Sequence, residues 1–105
     1  MSRLRADLWV GAYLARLGQA AIPAYVVRRG AAEAGAIIIK LATLDGQARA
    51  FQGAPEGAGW MVLAEGGEAE VDAALARARA RDPDLWIIEV EDRAGRHLLD
   101  DMPPR

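Results

Sequence analysis

The sequence predicts an α+β fold: a mainly antiparallel sheet of five to six strands with two helices packed on one face. Two segments have apolar residues at helical spacing, and between them β-branched runs follow one another with short glycine turns. The predicted order is α-β-β-β-β-α-β-β, which favours strands that pair with their sequence neighbours. At 105 residues the chain has the length of a single domain with one core, and we treat residues 1–105 as that domain.

Residues 4–18 form the first predicted helix. Asp7 or Ser2 is placed to cap its start, and Gly18 to end it. Its apolar arc is wider than one packed face requires. Either the helix lies in a deep groove on the sheet, or it also forms a homodimer interface. The arc consists of two stripes: Val10, Tyr13, Leu14 and Leu17 in one, and Leu4, Leu8 and Ala12 in the other.

Four strands are predicted at residues 24–29, 36–44, 47–52 and 60–64. Asp45-Gly46 stands between the second and third and predicts a tight hairpin, because glycine tolerates a positive φ. The glycine-rich residues 53–59 lack the Gly-Lys-Ser/Thr ending of a phosphate-binding loop. They therefore predict an ordinary hairpin loop.

Residues 68–81 form the second predicted helix, with acidic residues in its first turns and arginines in its last. This arrangement matches the helix dipole. Arg77, Arg79 and Arg81 could contact an acidic partner or RNA, but they do not share one face, so a solvated helix end is favoured. Pro83 ends the helix because the residue before a proline avoids the α region.

Residues 85–91 form the fifth predicted strand. Trp86, Ile88 and Val90 give it one wholly apolar face, which we expect to meet the helices. Glu89 and Glu91 lie on the opposite face. Asp92–Gly95 should turn the chain into a sixth strand at residues 96–99, and the polar, proline-ended residues 100–105 should fray.

Composition excludes several functional classes. The chain has no cysteine, so disulfides, thiol catalysis and thiolate metal sites are excluded. A net charge of −2 makes nucleic-acid binding unlikely. The start of the chain lacks the apolar region of a secretory signal, and the longest apolar run, residues 36–39, is too short to span a membrane. We predict a cytoplasmic protein without membrane attachment.

Residues suited to catalysis are scarce. Ser2, Thr43 and His97 are the only serine, threonine and histidine, so a Ser-His-Asp hydrolase is nearly excluded. A set of five acidic residues could bind Mg²⁺ or Ca²⁺, but its spacing does not match a calcium loop, and turn and cap roles are favoured. These five acidic residues are Asp82, Asp84, Glu89, Glu91 and Asp92. We predict no metal and no cofactor.

The best candidate site is the mixed face of the sheet, where cations and carboxylates meet if the first, second and fifth strands are neighbours. Such a cluster could bind a small anion or perform acid–base chemistry, and cross-strand ion pairing is the plainer interpretation. Our leading hypothesis is a non-enzymatic binding or protein-interaction module. The alternative is a small-anion or nucleotide-handling enzyme. The candidate ligand-binding residues are Arg28, Arg29, Lys40, Glu89 and Glu91.

Four segments together resemble a family of short, uncharacterised bacterial proteins known only as a domain of unknown function. The most specific is RDPDLWIIEVED at residues 81–92; the others are RLRADLWV at 3–10, YVVRRG at 25–30 and GAIIIK at 35–40. The resemblance implies a free-standing domain. It implies no activity, cofactor or catalytic residue.

Overall fold

A computed structural model describes residues 4–57 and 59–105, except the side chain of Glu56. They form a five-stranded sheet with strand order β1-β5-β2-β3-β4 and two α-helices, so the α+β prediction is confirmed. The elements are α1 (Ala6–Gln19), β1 (Ala24–Arg28), β2 (Ile37–Ala42), β3 (Gln47–Gly53), a short 3₁₀ turn (Pro55–Gly57), β4 (Trp60–Gly67), α2 (Glu68–Arg81) and β5 (Trp86–Glu91).

The last strand of the sequence lies inside the sheet, between β1 and β2. It pairs with β1 in antiparallel fashion and with β2 in parallel fashion, and the other pairs are antiparallel. β2 and β5 can be parallel because α2, which follows β4 in the sequence, carries the chain back across the sheet to the start of β5. In its register Lys40 lies beside Glu89.

The two helices lie on opposite faces of the sheet, and the prediction that both pack on one face was wrong. The core on the α1 side contains Ile39 and Ile88, whereas the core on the α2 side contains Ile38 and Ile87. Strands inside a sheet covered on both faces read as continuous apolar runs. The uninterrupted apolar run at residues 36–39 was the sequence signal for a second covered face, and in the structure residues 37–42 are all buried.

The local predictions agree with the structure at several points. The second helix covers the residues predicted for it, and Asp45-Gly46 forms the β2–β3 hairpin with Gly46 at a φ of 87°. The first helix starts at Ala6, so the prediction of Asp7 as its cap was wrong: Asp7 lies inside the first turn, and the capping position is Arg5, which makes no side-chain cap bond. The alternative cap Ser2 lies outside the described residues.

The chain after β5 differs from the prediction. Residues 96–99 form no strand, and Leu98 has a φ of 56°, which a strand does not allow. Leu99 is buried instead in the core on the α1 side, where the Tyr13 hydroxyl donates to the carbonyl of His97. Residues 102–105, hereafter the tail segment, do not fray but are hydrogen-bonded to distant parts of the fold.

Candidate functional site: a charged groove between β1 and α2

Lys40 is the centre of the candidate site. It stands in β2 on the sheet face covered by α2, and only 3% of its surface is exposed. A buried ammonium group requires hydrogen-bond partners of opposite charge, since an unpaired one would cost several kcal/mol. The local fold supplies three carboxylates.

The Lys40 ammonium contacts one carboxylate from the sheet and two from the helix. The Lys40 Nζ atom lies 3.2 Å from Glu89 Oε1, 3.0 Å from Glu68 Oε1 and 2.8 Å from Asp72 Oδ1. An ammonium group has three N–H donors, so each can go to one carboxylate. We call Lys40, Glu68, Asp72 and Glu89 the Lys40 cluster.

Two opposing effects act on the pKa of Lys40. Burial, the largest single effect, lowers this pKa, but the hydrogen bonds that Lys40 donates to Asp72, Glu68 and Glu89 together outweigh it and raise the pKa above its usual value. Lys40 is therefore charged at neutral pH. A protonated lysine cannot act as a general base or as an amine nucleophile.

Sequence reasoning missed the two helical members of the cluster. Glu68 and Asp72 were interpreted only as charges that match the helix dipole, because both helices were placed on the Trp86 face. Their i, i+4 spacing puts them on one side of α2. That spacing, opposite the only lysine of the chain, was the available signal.

An open groove of about 580 Å³ lies between β1 and α2 beside the Lys40 cluster. Val27, Leu75 and Ile87 supply apolar lining, and Arg28 and Arg79 supply cations. Arg28 comes next to a β-bulge in β1 and forms no ion pair with a carboxylate in the described part of the chain. Arg79 instead donates to the Leu85 carbonyl at 2.7 Å.

Two of the five predicted site residues lie outside the groove. The Arg29 guanidinium lies over the Trp86 ring, 5.1 Å from its centroid, and Trp86 belongs to the core on the other side of the sheet. Glu91 accepts a hydrogen bond from the Tyr25 hydroxyl at 3.1 Å. The structure therefore brings together Arg28, Lys40 and Glu89, and separates Arg29 and Glu91 from them.

Strand β1, which borders the groove, is an edge strand of the sheet with exposed side chains. The carbonyl of Pro23 accepts the N–H of Glu91, and hydrogen bonds toward one neighbour alternate along an antiparallel strand. The N–H and C=O groups of Val26 therefore point away from β5. They face a side of β1 that no other strand of the described chain occupies.

The remaining predicted candidates have structural contacts. Asp82 accepts the N–H of Asp84 in the turn after α2, and Asp92 accepts bonds from Arg96.

Over residues 4–57 and 59–105 no group of His, Asp and Glu side chains has a geometry suited to a metal ion. His97 accepts the Leu99 N–H through Nδ1, and burial lowers its pKa. No helix in the described part of the chain is long and apolar enough to cross a membrane.

Comparison with known proteins identifies relatives of the same size and fold. The family model described as "Protein of unknown function (DUF1491)" matches residues 4–100. A crystal structure of a DUF1491 family protein from Caulobacter crescentus has 40% identity and a TM-score of 0.82, with 90% of each chain covered. An NMR structure of such a protein from the same organism has 38% identity and a TM-score of 0.83, covering 99% of this chain and 97% of that one.

A more distant solved structure extends the comparison to another bacterium. The solution structure of a protein from A. tumefaciens has 30% identity to this chain and a TM-score of 0.74, with 86% of each chain covered. No curated protein matches the chain.

Proposed function

Because the chain belongs to the DUF1491 family, whose function is unknown, we propose from its own geometry that it is a non-enzymatic cytoplasmic binding module. Its ligand is an extended segment of a partner protein. The segment adds to the free edge of β1 and places alternate side chains over the groove beside the Lys40 cluster. Main-chain hydrogen bonds supply affinity in this mode, and pockets for alternate side chains supply specificity.

The unpaired edge of β1 carries this proposal. Its outward backbone groups at Val26 have no backbone partner in the described part of the chain, and the apolar side chains of Tyr25, Val26 and Val27 are all exposed in succession. An exposed apolar edge strand is a template for pairing with another chain. Folding alone gives no reason to leave three such side chains in water.

The charges along the groove select the partner's side chains. Arg28 is a cation of the groove without an ion-pair partner in the described part of the chain, whereas Lys40 is paired with three carboxylates. The Arg79 guanidinium is held by hydrogen bonds to the carbonyls of Arg29 and Leu85. We expect a carboxylate of the partner to pair with Arg28. An apolar neighbour of that residue would contact Val27 and Leu75 on the groove lining.

The same contacts weigh against an anion-handling enzyme. A substrate anion could reach Lys40 only by displacing a carboxylate from it. If Lys40 and Glu89 nevertheless handled an anion, Lys40→Ala and Glu89→Ala variants that remain folded would lose binding of phosphate or a nucleotide. Unchanged binding in both variants would remove these residues from any such site.

A synthetic peptide with the β5 sequence, WIIEVE, tests the proposal, because β5 is the natural antiparallel neighbour of β1 and carries two carboxylates. Titrated into the ¹⁵N-labelled protein, it should shift the amide signals of residues 24–28. Val26→Pro removes the outward N–H without touching the bonds to β5, and should abolish those shifts. The same peptide with N-methyl groups on alternate residues is the control.

Two results would contradict the proposal. One is equal binding of the peptide to the parent chain and to Val26→Pro. The other is shifts spread over the whole protein rather than confined to β1 and the groove. Concentration-dependent shifts of the β1 signals without peptide would identify a second copy of the chain as the occupant.

Self-association through α1 is a second candidate, supported by the outer face of that helix. Leu8 is 56% exposed, and the positions of Gly11 and Gly18 have open space around them. Sedimentation over a hundredfold range of protein concentration tests it. A dimer that Leu8→Glu disrupts and Gln19→Glu preserves would support this interface, whereas a monomer throughout would remove it.

A further inference from the structure

The tail segment lies in an aromatic cradle formed by α1 and β4. The rings of Trp9 and Trp60 are 5.5 Å apart between centroids, and both indole N–H groups donate to consecutive carbonyls of the segment. Trp9 Nε1 lies 3.0 Å from the Pro103 oxygen, and Trp60 Nε1 lies 2.8 Å from the Met102 oxygen. The two tryptophans thus contact the segment through its backbone.

The end of the segment has its own set of contacts. The Arg105 guanidinium donates to three backbone carbonyls, those of Leu4, Glu33 and Gly35, at 3.1 to 3.2 Å. Pro104 lies against Gly53, where an added Cβ would come within 3.2 Å of the Pro104 side chain. Gly53 therefore provides the close approach that the proline ring requires.

These features together have the chemistry of a proline-recognition groove. Proline-rich segments have carbonyl acceptors and few N–H donors, and they bind grooves lined by aromatic rings. Tryptophan suits such a groove because its ring gives apolar contact and its N–H reaches an acceptor. Both indoles here donate to carbonyls of the Met-Pro-Pro-Arg segment, and neither donates to the core.

Side-chain hydrogen bonds hold the segment to the rest of the fold. It is not a strand of the sheet, and Met102 donates its N–H to Leu99, next to the start of the segment. A cavity of about 510 Å³, lined by Phe51, Trp60 and Leu99, continues from Pro103 along the β3–β4 side. The segment thus fills only part of the available groove.

We propose that the Trp9–Trp60 cradle is a binding site for an extended Pro-Pro-Arg-type segment of another protein, which replaces the chain's own tail segment. In the absence of that partner the tail segment competes from within the molecule. A short tether gives such a competitor an effective concentration in the millimolar range. The partner binds more tightly once the tail segment is weakened.

Indole N–H signals of the ¹⁵N-labelled full chain test the proposal, with the peptide DDMPPR as the probe. Arg105→Ala removes three hydrogen bonds from the tail segment without changing the cradle. The peptide should shift the Trp9 and Trp60 signals of this variant, and should half-saturate the parent only at a concentration at least about ten times higher. The amide signals of α2 are the internal control, because α2 packs on the face of the sheet opposite to the cradle.

A second variant checks the role of the indole donors. Trp60→Phe keeps a ring but removes the N–H, and should weaken peptide binding in the Arg105→Ala background by about fivefold, as expected for one hydrogen bond. The control peptide DDMAAA should not bind. If Arg105→Ala fails to fold, which collapse of the dispersed α2 amide signals would report, the parent chain at higher peptide concentration gives the same test.

Three results would overturn the proposal. The first is that millimolar peptide leaves the Trp9 and Trp60 signals unmoved. The second is that DDMAAA binds as well as DDMPPR. The third is that these signals depend on protein concentration and the chain sediments as a dimer, which would assign the cradle to tail exchange between copies. A failure here leaves the β1 signals untouched, so it is distinguishable from a failure at the edge strand.

Discussion

Replacing Lys40 with methionine tests whether the Lys40 cluster stabilises the fold. Methionine keeps the length and apolar stem of the side chain and removes its charge. Three carboxylates that now lie 2.8 to 3.2 Å from the ammonium would then face one another without a cation. Removing one partner of a buried ion pair costs about 3–5 kcal/mol.

The exposure of the carboxylates sets the expected value within that range. Side chains of Glu89, Glu68 and Asp72 are 21%, 40% and 54% exposed, so water can solvate them after the change. We therefore expect Lys40→Met to lower the free energy of unfolding by about 3 kcal/mol at pH 7, the lower end of the range. This corresponds to a fall in Tm of roughly 12–20 °C for a domain of this size.

The measurement is urea unfolding of parent and variant, followed by circular dichroism and tryptophan fluorescence. Arg77→Met, at an exposed arginine of α2, is the matched control and should change stability by less than about 0.5 kcal/mol. A deficit under about 1 kcal/mol at pH 7 would refute the reasoning that this cluster holds α2 on the sheet.

Further predictions concern stability at alkaline pH, the titration of His97, and the replacement of two glycines. The fold raises the pKa of Lys40 above its unfolded value of 10.5. The contribution of Lys40 to stability is therefore complete below pH 10.5 and is lost as the pH rises from there toward the folded-state pKa. The parent should lose more stability between pH 10 and 12 than Lys40→Met does. Burial lowers the pKa of His97 below 6.5, so the contribution of the neutral imidazole to stability is present above that pH and is lost as the pH falls. The free energy of unfolding should therefore decline from pH 7.5 to 5 in the parent, and His97→Phe should lack this decline. Gly35→Ala should lower the free energy of unfolding by about 2–3 kcal/mol, since its Cβ would clash with the backbone carbonyl oxygen of Asp84, whereas Gly11→Ala, with open space around it in α1, should raise it by about 0.5–1 kcal/mol. Equal effects in urea unfolding would contradict the steric argument.

The sequence was sufficient for the two helices and five strands, wrongly predicted a sixth strand at residues 96–99, and was insufficient for the layers. Helical spacing located α1 and α2, and Asp45-Gly46 located the hairpin, because these signals are local. Placing a helix on a face requires knowing which strands are covered on both sides. Trp86 and Ile87 point to opposite faces of β5 and both are buried, so the alternation that was expected to separate core from solvent separates two cores instead.

The candidate site shows the same division between local and long-range information. The mixed charge of Lys40 and Glu89 on one sheet face was readable from strand alternation, and their strands are neighbours. Glu68 and Asp72 could be added only by placing α2 over that face. The tail segment was missed because its hydrogen bond to Trp9 joins residues 94 positions apart, and no local pattern reports such a contact.

The internal position of β5 also constrains how this chain folds during synthesis. Strands β2, β3 and β4 pair with their sequence neighbours and can form as they leave the ribosome, whereas β1 has β5 as its only strand partner in the described chain. Residues 24–28 are therefore synthesised early but have no strand to pair with until residue 91 has emerged from the ribosome. Throughout that interval β1 has no strand partner and β2 has a free edge in addition to that of β4, and unpaired strands and edges are the places where a chaperone or another nascent chain can attach.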